Sequence, residues 1–417
     1  MFLHDRQLSA TFGDDHAKRV LAPLESLYRR YYDETWQRYA ELTVNHGGRL
    51  DDPPQFHVVH SPKSYPHNIR SAGEVAIIYD QHLGQVFNRL TALTLEDASP
   101  ALVDCYLQKL FAQRCYVVGD FDSAALFGSV AYLMKSNLKN DKQQSPALDA
   151  MRSVLVGLQE RFVIAHELAH TALGSSEELL TNCEWLFGNL VTDYYDLREE
   201  SGASLSEAEA NSQFWDDVDA AFMRRNPGAT IPEEAKLAAR SQKPTARSGA
   251  ERETEQRLRA DPLLRREFLC DSLAATSLLT GSKDLSEVIA AFVASTAALH
   301  NLRLLKILDG HIESADTDGN ANFLTHAQDR LSLLRAMANA YMLFVLPAGK
   351  EHQPELHRSL TGWNKDFAAV VNDQLLFHFH PKTMRPHYLK TLGAEFFTIA
   401  DQIATDPADL RMLLGFS

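Results

Sequence analysis

The sequence predicts a mostly helical protein with a small β-sheet, which is a helix-rich form of the α+β class. Apolar residues recur at helical spacing over about residues 15–44, and they do so again in a long run over about residues 145–173. One segment, Glu74–Tyr79 (EVAIIY), has the composition of a strong strand and is bounded by a glycine and an aspartate. Many helical patterns around one clear strand favour a helical core beside a small sheet.

The remaining elements follow in chain order. A loop rich in proline and histidine is expected at about residues 52–67, before the strand, and mostly helical patterns follow it up to about residue 134. Ser145 is a suitable N-cap for the long helix, which Gly174 is expected to stop. Further helices are expected over residues 177–198 and 206–225 and from about residue 250 to the end.

The polar segment 226–247 separates these helices and contains three prolines but few large apolar residues. We therefore expect three regions. They are an N-terminal helical region with an edge strand (1–140), a core with a polar insertion at about 226–247 (141–281), and a C-terminal helical region (282–417).

Composition limits the function classes. The 417-residue chain has a net charge of −14, from 41 basic and 55 acidic residues, which argues against nucleic acid or an anionic membrane surface as a partner. The four cysteines form no CxxC pair, which is typical of a reducing compartment. Residues 1–15 lack the pattern of a secretory signal, and polar residues interrupt the longest apolar stretch, Val288–Leu308. A soluble, cytoplasmic protein is expected.

The segment Arg161–Gly174 (RFVIAHELAHTALG) contains an HExxH motif. Four residues apart on a helix, His166 and His170 share one face and can bind one metal ion. Neutral imidazoles suit Zn²⁺, and a catalytic zinc has three protein ligands and an open position. Glu167 lies beside the pair and is the candidate general base for a metal-activated water.

A third ligand has to come from elsewhere, because Leu173 and Ser176 stand where an HExxHxxGxxH pattern needs glycine and histidine. In the segment RREFLCDSLAATSLL, Glu267 and Asp271 are again four residues apart. Glu267 is the favoured ligand, and Asp271 can accept the free ring N–H of a ligand histidine. Glu184 is the alternative ligand, although no acid follows it four residues later.

Together, HELAH and EFLCDSLAATSLL resemble the gluzincin clan of zinc metallopeptidases. The second segment is similar to the E-x-x-A-D/N-x-x-A-A-x-x-L segment of the ImmA/IrrE-type regulators and of the CaaX-protease/HtpX/Oma-type peptidases. The resemblance implies that His166, His170 and Glu267 bind zinc, that Glu167 is the base and that Asp271 orients a ligand.

A second similarity lies in LTHAQDRLSLLRAM, residues 324–337, which resembles the THPxxxxR segment of the CaaX/HtpX branch. This similarity implies that His326 stabilises the tetrahedral intermediate. The proline is absent here, and the spacing from histidine to arginine is two residues shorter than in that branch. Other candidate donors to the oxyanion therefore remain open: Tyr194, Tyr195, His387 and Tyr388.

These observations predict a soluble zinc endopeptidase, with one Zn²⁺ per chain, that cleaves a protein or peptide. Small gluzincins suggest by analogy a regulatory or phage-exclusion role. Glu74–Tyr79 is the expected edge strand for an extended substrate. One alternative is a helical regulatory or binding protein with a structural or inactive metal site. Another is an effector whose protease activity is held off by the segment 226–247.

Overall fold

The computed structural model of the protein describes most of the chain in separate ranges. These ranges are residues 22–45, 50, 52–59, 67–71, 74–95, 98–137, 145–200, 207–225, 228, 231, 233, 236, 248–279, 284–313, 317–346, 349–378, 390 and 392–415. Most of the segment 226–247 therefore lies outside the described residues.

The described chain is mostly helical with one small sheet, as expected. The first seven helices are α1 (Ala22–Asn45), α2 (Gln81–Leu95), α3 (Pro100–Val117), α4 (Phe121–Asn137), α5 (Pro146–Ser175), α6 (Glu177–Cys183) and α7 (Asn189–Glu200), with a π-helical turn at Glu184–Gly188 between the last two. They are followed by α8 (Glu207–Arg225), α9 (Gly249–Ala260), α10 (Pro262–Ser277), α11 (Leu285–Glu313), α12 (Thr317–Phe344), α13 (Gly349–His378), α14 (Ala394–Thr405) and α15 (Pro407–Leu414). The strands are β1 (Gln55–Val59), β2 (His67–Ser71) and β3 (Glu74–Asp80).

The sheet corrects one expectation, because the strand that contains EVAIIY is central and not at the edge. The strand order is β1–β3–β2, with β1 parallel and β2 antiparallel to β3. Part of the segment expected to be a loop forms β1, since Phe56 and Val59 bury their side chains there. Pro53 and Pro54 precede the strand and remove no ladder hydrogen bond from its interior. In the described chain, β1 and β2 are the edge strands.

Helix α5 lies at the centre of the fold. Five described helices contact it (α1, α2, α6, α10 and α11), and β3 also contacts it. It buries apolar residues on several faces: Phe162, Val163, Ile164, Ala165, Leu168, Ala169, Ala172 and Leu173. The small alanines among them let neighbouring helices approach closely. The motif-bearing segment is therefore largely enclosed by its neighbours.

The ends of α5 are close to those expected. Ser145 is at the N-cap and Pro146 follows at the first helical position, where the missing N–H costs no hydrogen bond. The helix continues through Gly174 to Ser175, and it ends because Ser176 is extended, with φ −134°. The Ser176 hydroxyl accepts a hydrogen bond from the Leu179 N–H and so starts α6.

One connected apolar cluster extends from Tyr28 in α1 to Leu414 in α15. All three expected regions contribute to this cluster, and the division into regions stays a prediction. The four cysteines are free and buried. Among the described helices, one segment, Leu285–Gly310, is long and apolar enough to cross a membrane, but 78% of its apolar window is buried inside the protein. This segment packs as a core helix.

Candidate metal centre

Side chains of α5 and α10 meet at one point. The Nε2 atoms of His166 and His170 lie 3.1 Å apart. The Glu267 carboxylate completes the group, with Oε2 3.4 Å from His166 Nε2 and Oε1 3.2 Å from His170 Nε2. Three donors from two helices are therefore close enough to bind one metal ion, as the two i, i+4 pairs predicted.

The spacing of these donors fits a small tetrahedral ion. Ligands at about 2.1 Å from zinc in tetrahedral geometry lie about 3.4 Å from one another. The donor separations here are 3.1, 3.2 and 3.4 Å. Two imidazoles and one carboxylate suit zinc or a similar transition metal, whereas calcium and magnesium prefer oxygen ligands.

Asp271 contacts His166 on the side of the ring that faces away from the other donors. Its Oδ1 lies 2.9 Å from His166 Nδ1, which turns His166 Nε2 toward the other donors. Burial on its own lowers the pKa of His166, yet the negative charge of Asp271 and hydrogen bonds that the ring donates to the carboxylates of Asp271 and Glu267 raise this pKa to about 10. The surroundings of His166 therefore favour positive charge.

Arg330, on α12, fixes both carboxylates. Its Nε donates to Asp271 Oδ2 and one terminal nitrogen donates to Oδ1, each at 2.8 Å. The other terminal nitrogen lies 3.0 Å from Glu267 Oε2. Burial is the largest influence and would raise the pKa of both carboxyl groups, but the Arg330 charge and the hydrogen bonds from neighbouring side chains together outweigh it and hold both pKa values below their usual range. Both groups therefore stay ionised, and a carboxylate must be ionised to bind a metal.

The second histidine is held from α10. Cys270 Sγ lies 3.4 Å from His170 Nδ1, within hydrogen-bond distance for sulfur. Burial raises the pKa of the Cys270 thiol well above its usual value, so the sulfur remains a neutral, weak acceptor. This contact fixes the His170 ring with Nε2 directed at the metal group.

Arg266 connects the two ligand-bearing helices through their backbones. Its terminal nitrogens donate to the carbonyl oxygens of Leu173 and His170, each at 3.1 Å. The Leu173 carbonyl belongs to the last turn of α5, where carbonyls lack partners within the helix. This hydrogen bond therefore gives the Leu173 carbonyl a partner and connects the end of α5 to α10.

Glu167 points to the sheet side of the site. Asn68, on edge strand β2, donates from Nδ2 to the Glu167 carboxylate, and the same nitrogen lies 3.4 Å from the Glu167 carbonyl oxygen. The candidate base therefore has a fixed orientation next to an edge strand.

A pocket of about 220 Å³ opens over the metal group. Leu299, Leu302 and Arg303 of α11 form one of its walls, and Ala327 and Arg330 of α12 form another. The Arg303 Nε is buried and has no hydrogen-bond partner among the described residues. This wall therefore places a cationic side chain beside the pocket.

The other sequence candidates lie elsewhere. His326 Nε2 is 2.9 Å from Asp261 Oδ2, at the start of α10, so the structure pairs this histidine with the Asp261 N-cap. Glu184 is exposed at the π-helical turn and is not part of the metal group. Tyr195 is fully buried in the core, and Tyr194 packs against Arg198 at 5.2 Å from ring to guanidinium. His387 and Tyr388 lie outside the described residues.

Sequence reasoning missed Arg330 and Asn68. The arginine lies in the segment whose histidine was the candidate, and it is this arginine that reaches the site. Its role is visible only once α12 packs on α10. No strand pattern in HNIRS marks Asn68, which depends on β2 pairing with β3.

No protein-family model, curated protein or solved structure matches this chain. The case for function therefore depends on the site itself.

Proposed function

We propose that the protein is a soluble zinc-dependent endopeptidase. The observation that carries the proposal is the combination of a three-donor metal group with an oriented glutamate, Glu167, next to one of its histidines. A structural zinc site normally fills all four positions with cysteine or histidine and has no use for such an acid. One zinc per chain, and a cytoplasmic location for a protein with four free thiols, belong to the same proposal.

Each residue has a role in this proposal. His166, His170 and Glu267 would hold the ion, which would supply Lewis-acid activation of the scissile carbonyl and of water. Glu167 takes a proton from that water and then gives it to the leaving nitrogen. Asp271, Arg330 and Cys270 are positioning residues that keep the ligands in place.

The substrate is expected beside β2. This strand is an edge strand in the described sheet, and its Asn68 contacts Glu167. An extended peptide that adds to β2 places its backbone close to the base and the metal group. Edge strand β2 thus takes the substrate role that the sequence suggested for EVAIIY. A regulatory or phage-exclusion role, in which one protein target is cut, remains part of the proposal by analogy.

The test is cleavage of an unfolded protein, such as casein, by zinc-loaded protein, with the products read by mass spectrometry. Wild type is expected to cut at internal peptide bonds. Glu167→Gln is expected to lose about 10²–10⁴-fold in rate, because the proton carrier is removed, while it keeps its zinc.

Glu177→Gln, an exposed acid on α6, is the matched control and is expected to cut as wild type does. Zinc-loaded wild type that cuts nothing, or Glu167→Gln that cuts at the wild-type rate, would contradict the proposal. The first result would favour a regulatory protein with an inactive metal site.

A further inference from the structure

A second and larger cleft, of about 930 Å³, lies on the other side of α12 from the metal group. Helices α7, α8, α9, α12 and α13 form its walls. Its volume falls within the range of small-molecule sites, roughly 300–1,000 Å³. The cleft shares no lining residue with the pocket over the metal group.

The charge of this cleft is opposite to that of the chain. The whole protein carries a net charge of −14, yet the described lining of the cleft has four cationic side chains and a single carboxylate. The carboxylate of Glu251 is already bound by Arg198 in a bidentate pair at 2.6 and 3.1 Å. The charges of Arg335, Arg358 and Lys365 are therefore not balanced by the lining.

Arg335 is the central member of this group. Most of its side chain is withdrawn from water, and this burial lowers the pKa of its guanidinium. Within the described residues, no side chain makes a hydrogen bond or ion pair with that guanidinium. The charge of Glu251 raises this pKa, but Glu251 is already paired with Arg198, so an anion in the cleft would neutralise a largely desolvated cation. The guanidinium also presents paired donors that match a phosphoryl or carboxylate group.

His357 lies beside this group and contributes a neutral ring. Burial lowers the pKa of His357, and the charges of Arg335 and Arg198 lower it further, whereas Glu251 raises it. At neutral pH the ring is therefore uncharged and can both donate and accept a hydrogen bond. Arg358 and Lys365 follow at the exposed rim of the same helix, α13.

Helix α12 presents different residues to the two sites. Arg330 faces the metal group, whereas Arg335 is five residues later, roughly 140° further around the helix. Ser332 and Asn339 line the cleft on the Arg335 side and add a hydroxyl and an amide. The polar face is thus a continuous part of α12 and not a scatter of surface charges.

We propose that this cleft binds a small ligand with at least two phosphoryl or carboxylate charges, and that Arg335 is its central contact. Arg358 and Lys365 neutralise the outer part of the ligand, and His357 and Ser332 provide neutral hydrogen bonds. The proposal is independent of the peptidase activity.

The test is isothermal titration calorimetry of the full chain with pyrophosphate and, separately, with citrate. At least one of these anions is expected to bind at a single site, and the stronger one identifies the ligand chemistry as phosphoryl or carboxylate. Arg335→Gln is expected to weaken binding by about 10- to 100-fold, the effect of a lost charge-assisted hydrogen bond, while Arg335→Lys loses less. The double variant Arg358→Gln/Lys365→Gln changes exposed residues only and is also expected to weaken binding, even if Arg335→Gln fails to fold.

Two controls make the result specific. Lys135→Gln removes one charge from an exposed position of α4 and is expected to bind as wild type does. His170→Ala lacks a metal ligand, and unchanged binding by this variant separates the cleft from chelation of a bound metal. The proposal is overturned if neither anion binds, if Lys135→Gln weakens binding as much as Arg335→Gln does, or if His170→Ala abolishes binding.

Discussion

Asp271, which contacts α5 from α10, and Glu160, which belongs to α5, are both buried carboxyl groups, and the protein shifts their pKa values in opposite directions. Asp271 faces the Arg330 guanidinium and His166, which hold its pKa below the usual range in spite of complete burial. Glu160 faces only neutral hydroxyls among its hydrogen-bond partners, from Tyr28 at 2.8 Å and Tyr79 at 3.2 Å. Burial raises the pKa of Glu160 to about 7, and these two hydrogen bonds offset the rise only in part.

The comparison indicates that, between two carboxyl groups that are both buried, the charge of the partners decides which one stays ionised at neutral pH. A buried carboxylate with a cationic partner can orient a metal ligand at neutral pH. A buried carboxyl group with hydroxyl partners alone loses a proton near pH 7 at a cost in stability. The carboxylates of the metal centre therefore stay ionised. The contact of Glu160 with Tyr28 and Tyr79 is, by contrast, a polar contact inside the core.

The sharpest test of this comparison removes the cation. Arg330→Met is expected to lower the free energy of unfolding by about 3–5 kcal/mol, because it leaves the buried charge of Asp271 without its partner. The measurement is urea unfolding in the presence of a chelator, so that metal binding does not contribute. The double variant Arg330→Met/Asp271→Leu is expected to recover part of the loss, since no unpaired charge remains. A single variant within about 1 kcal/mol of wild type would contradict this account.

The next test concerns the pH dependence caused by Glu160. Its pKa is about 7 in the folded protein against an ordinary value of 4.5, so the folded state holds the extra proton between these two pH values. The contribution of Glu160 to stability is fully present below pH 4.5 and is lost as the pH rises through 7. By linkage the total is about 3 kcal/mol. Glu160→Gln lacks this loss, so the variant is expected to gain stability over wild type as the pH rises from 5 to 8.

Urea unfolding of both proteins across that pH range gives the difference directly, because the other titrating groups cancel. Glu178→Gln, at an exposed position of α6, serves as the control and is expected to track wild type. Parallel curves for wild type and Glu160→Gln would show that the partners of Glu160 keep it ionised.

The smallest effect on stability is expected at Gly84 of α2, which packs against the Glu160 carboxyl group. A Cβ at this position would overlap Glu160 Oε1, whereas a Cβ at Gly362 of α13 meets nothing within 4 Å. Gly84→Ala is expected to destabilise the protein by about 1–3 kcal/mol, although alanine is the better helix former. Gly362→Ala, by contrast, is expected to stabilise it by up to about 1 kcal/mol. Thermal unfolding of the two variants measures both effects. Equal changes in the melting temperature would contradict the expectation, because they would mean that the Glu160 side chain moves aside without cost.

Local patterns predicted much of this centre. The periodicity of α5 and the two i, i+4 pairs are properties of single helices, so His166, His170, Glu267 and Asp271 could be selected before any packing was known. The order of the strands in the sheet could not be predicted from such local patterns. Whether a strand is central depends on its neighbours, and β1 and β2 carry weak strand patterns.

Contacts between distant segments were the hardest to predict. Arg330 reaches Asp271 because α12 packs on α10, and Asn68 reaches Glu167 because β2 pairs with β3 beside α5. Neither residue carries a local signal that distinguishes it from other polar residues. His326 was selected by similarity to a motif, whereas in the structure it pairs with Asp261.

The most direct test of the metal centre is elemental analysis of protein purified without added zinc, for wild type, Glu267→Ala and Glu184→Ala. Wild type and Glu184→Ala are expected to hold about one zinc per chain, and Glu267→Ala is expected to hold almost none, because two imidazoles alone leave the ion under-coordinated. Wild type without zinc even after reconstitution, or Glu267→Ala with full occupancy, would contradict the assignment of this centre.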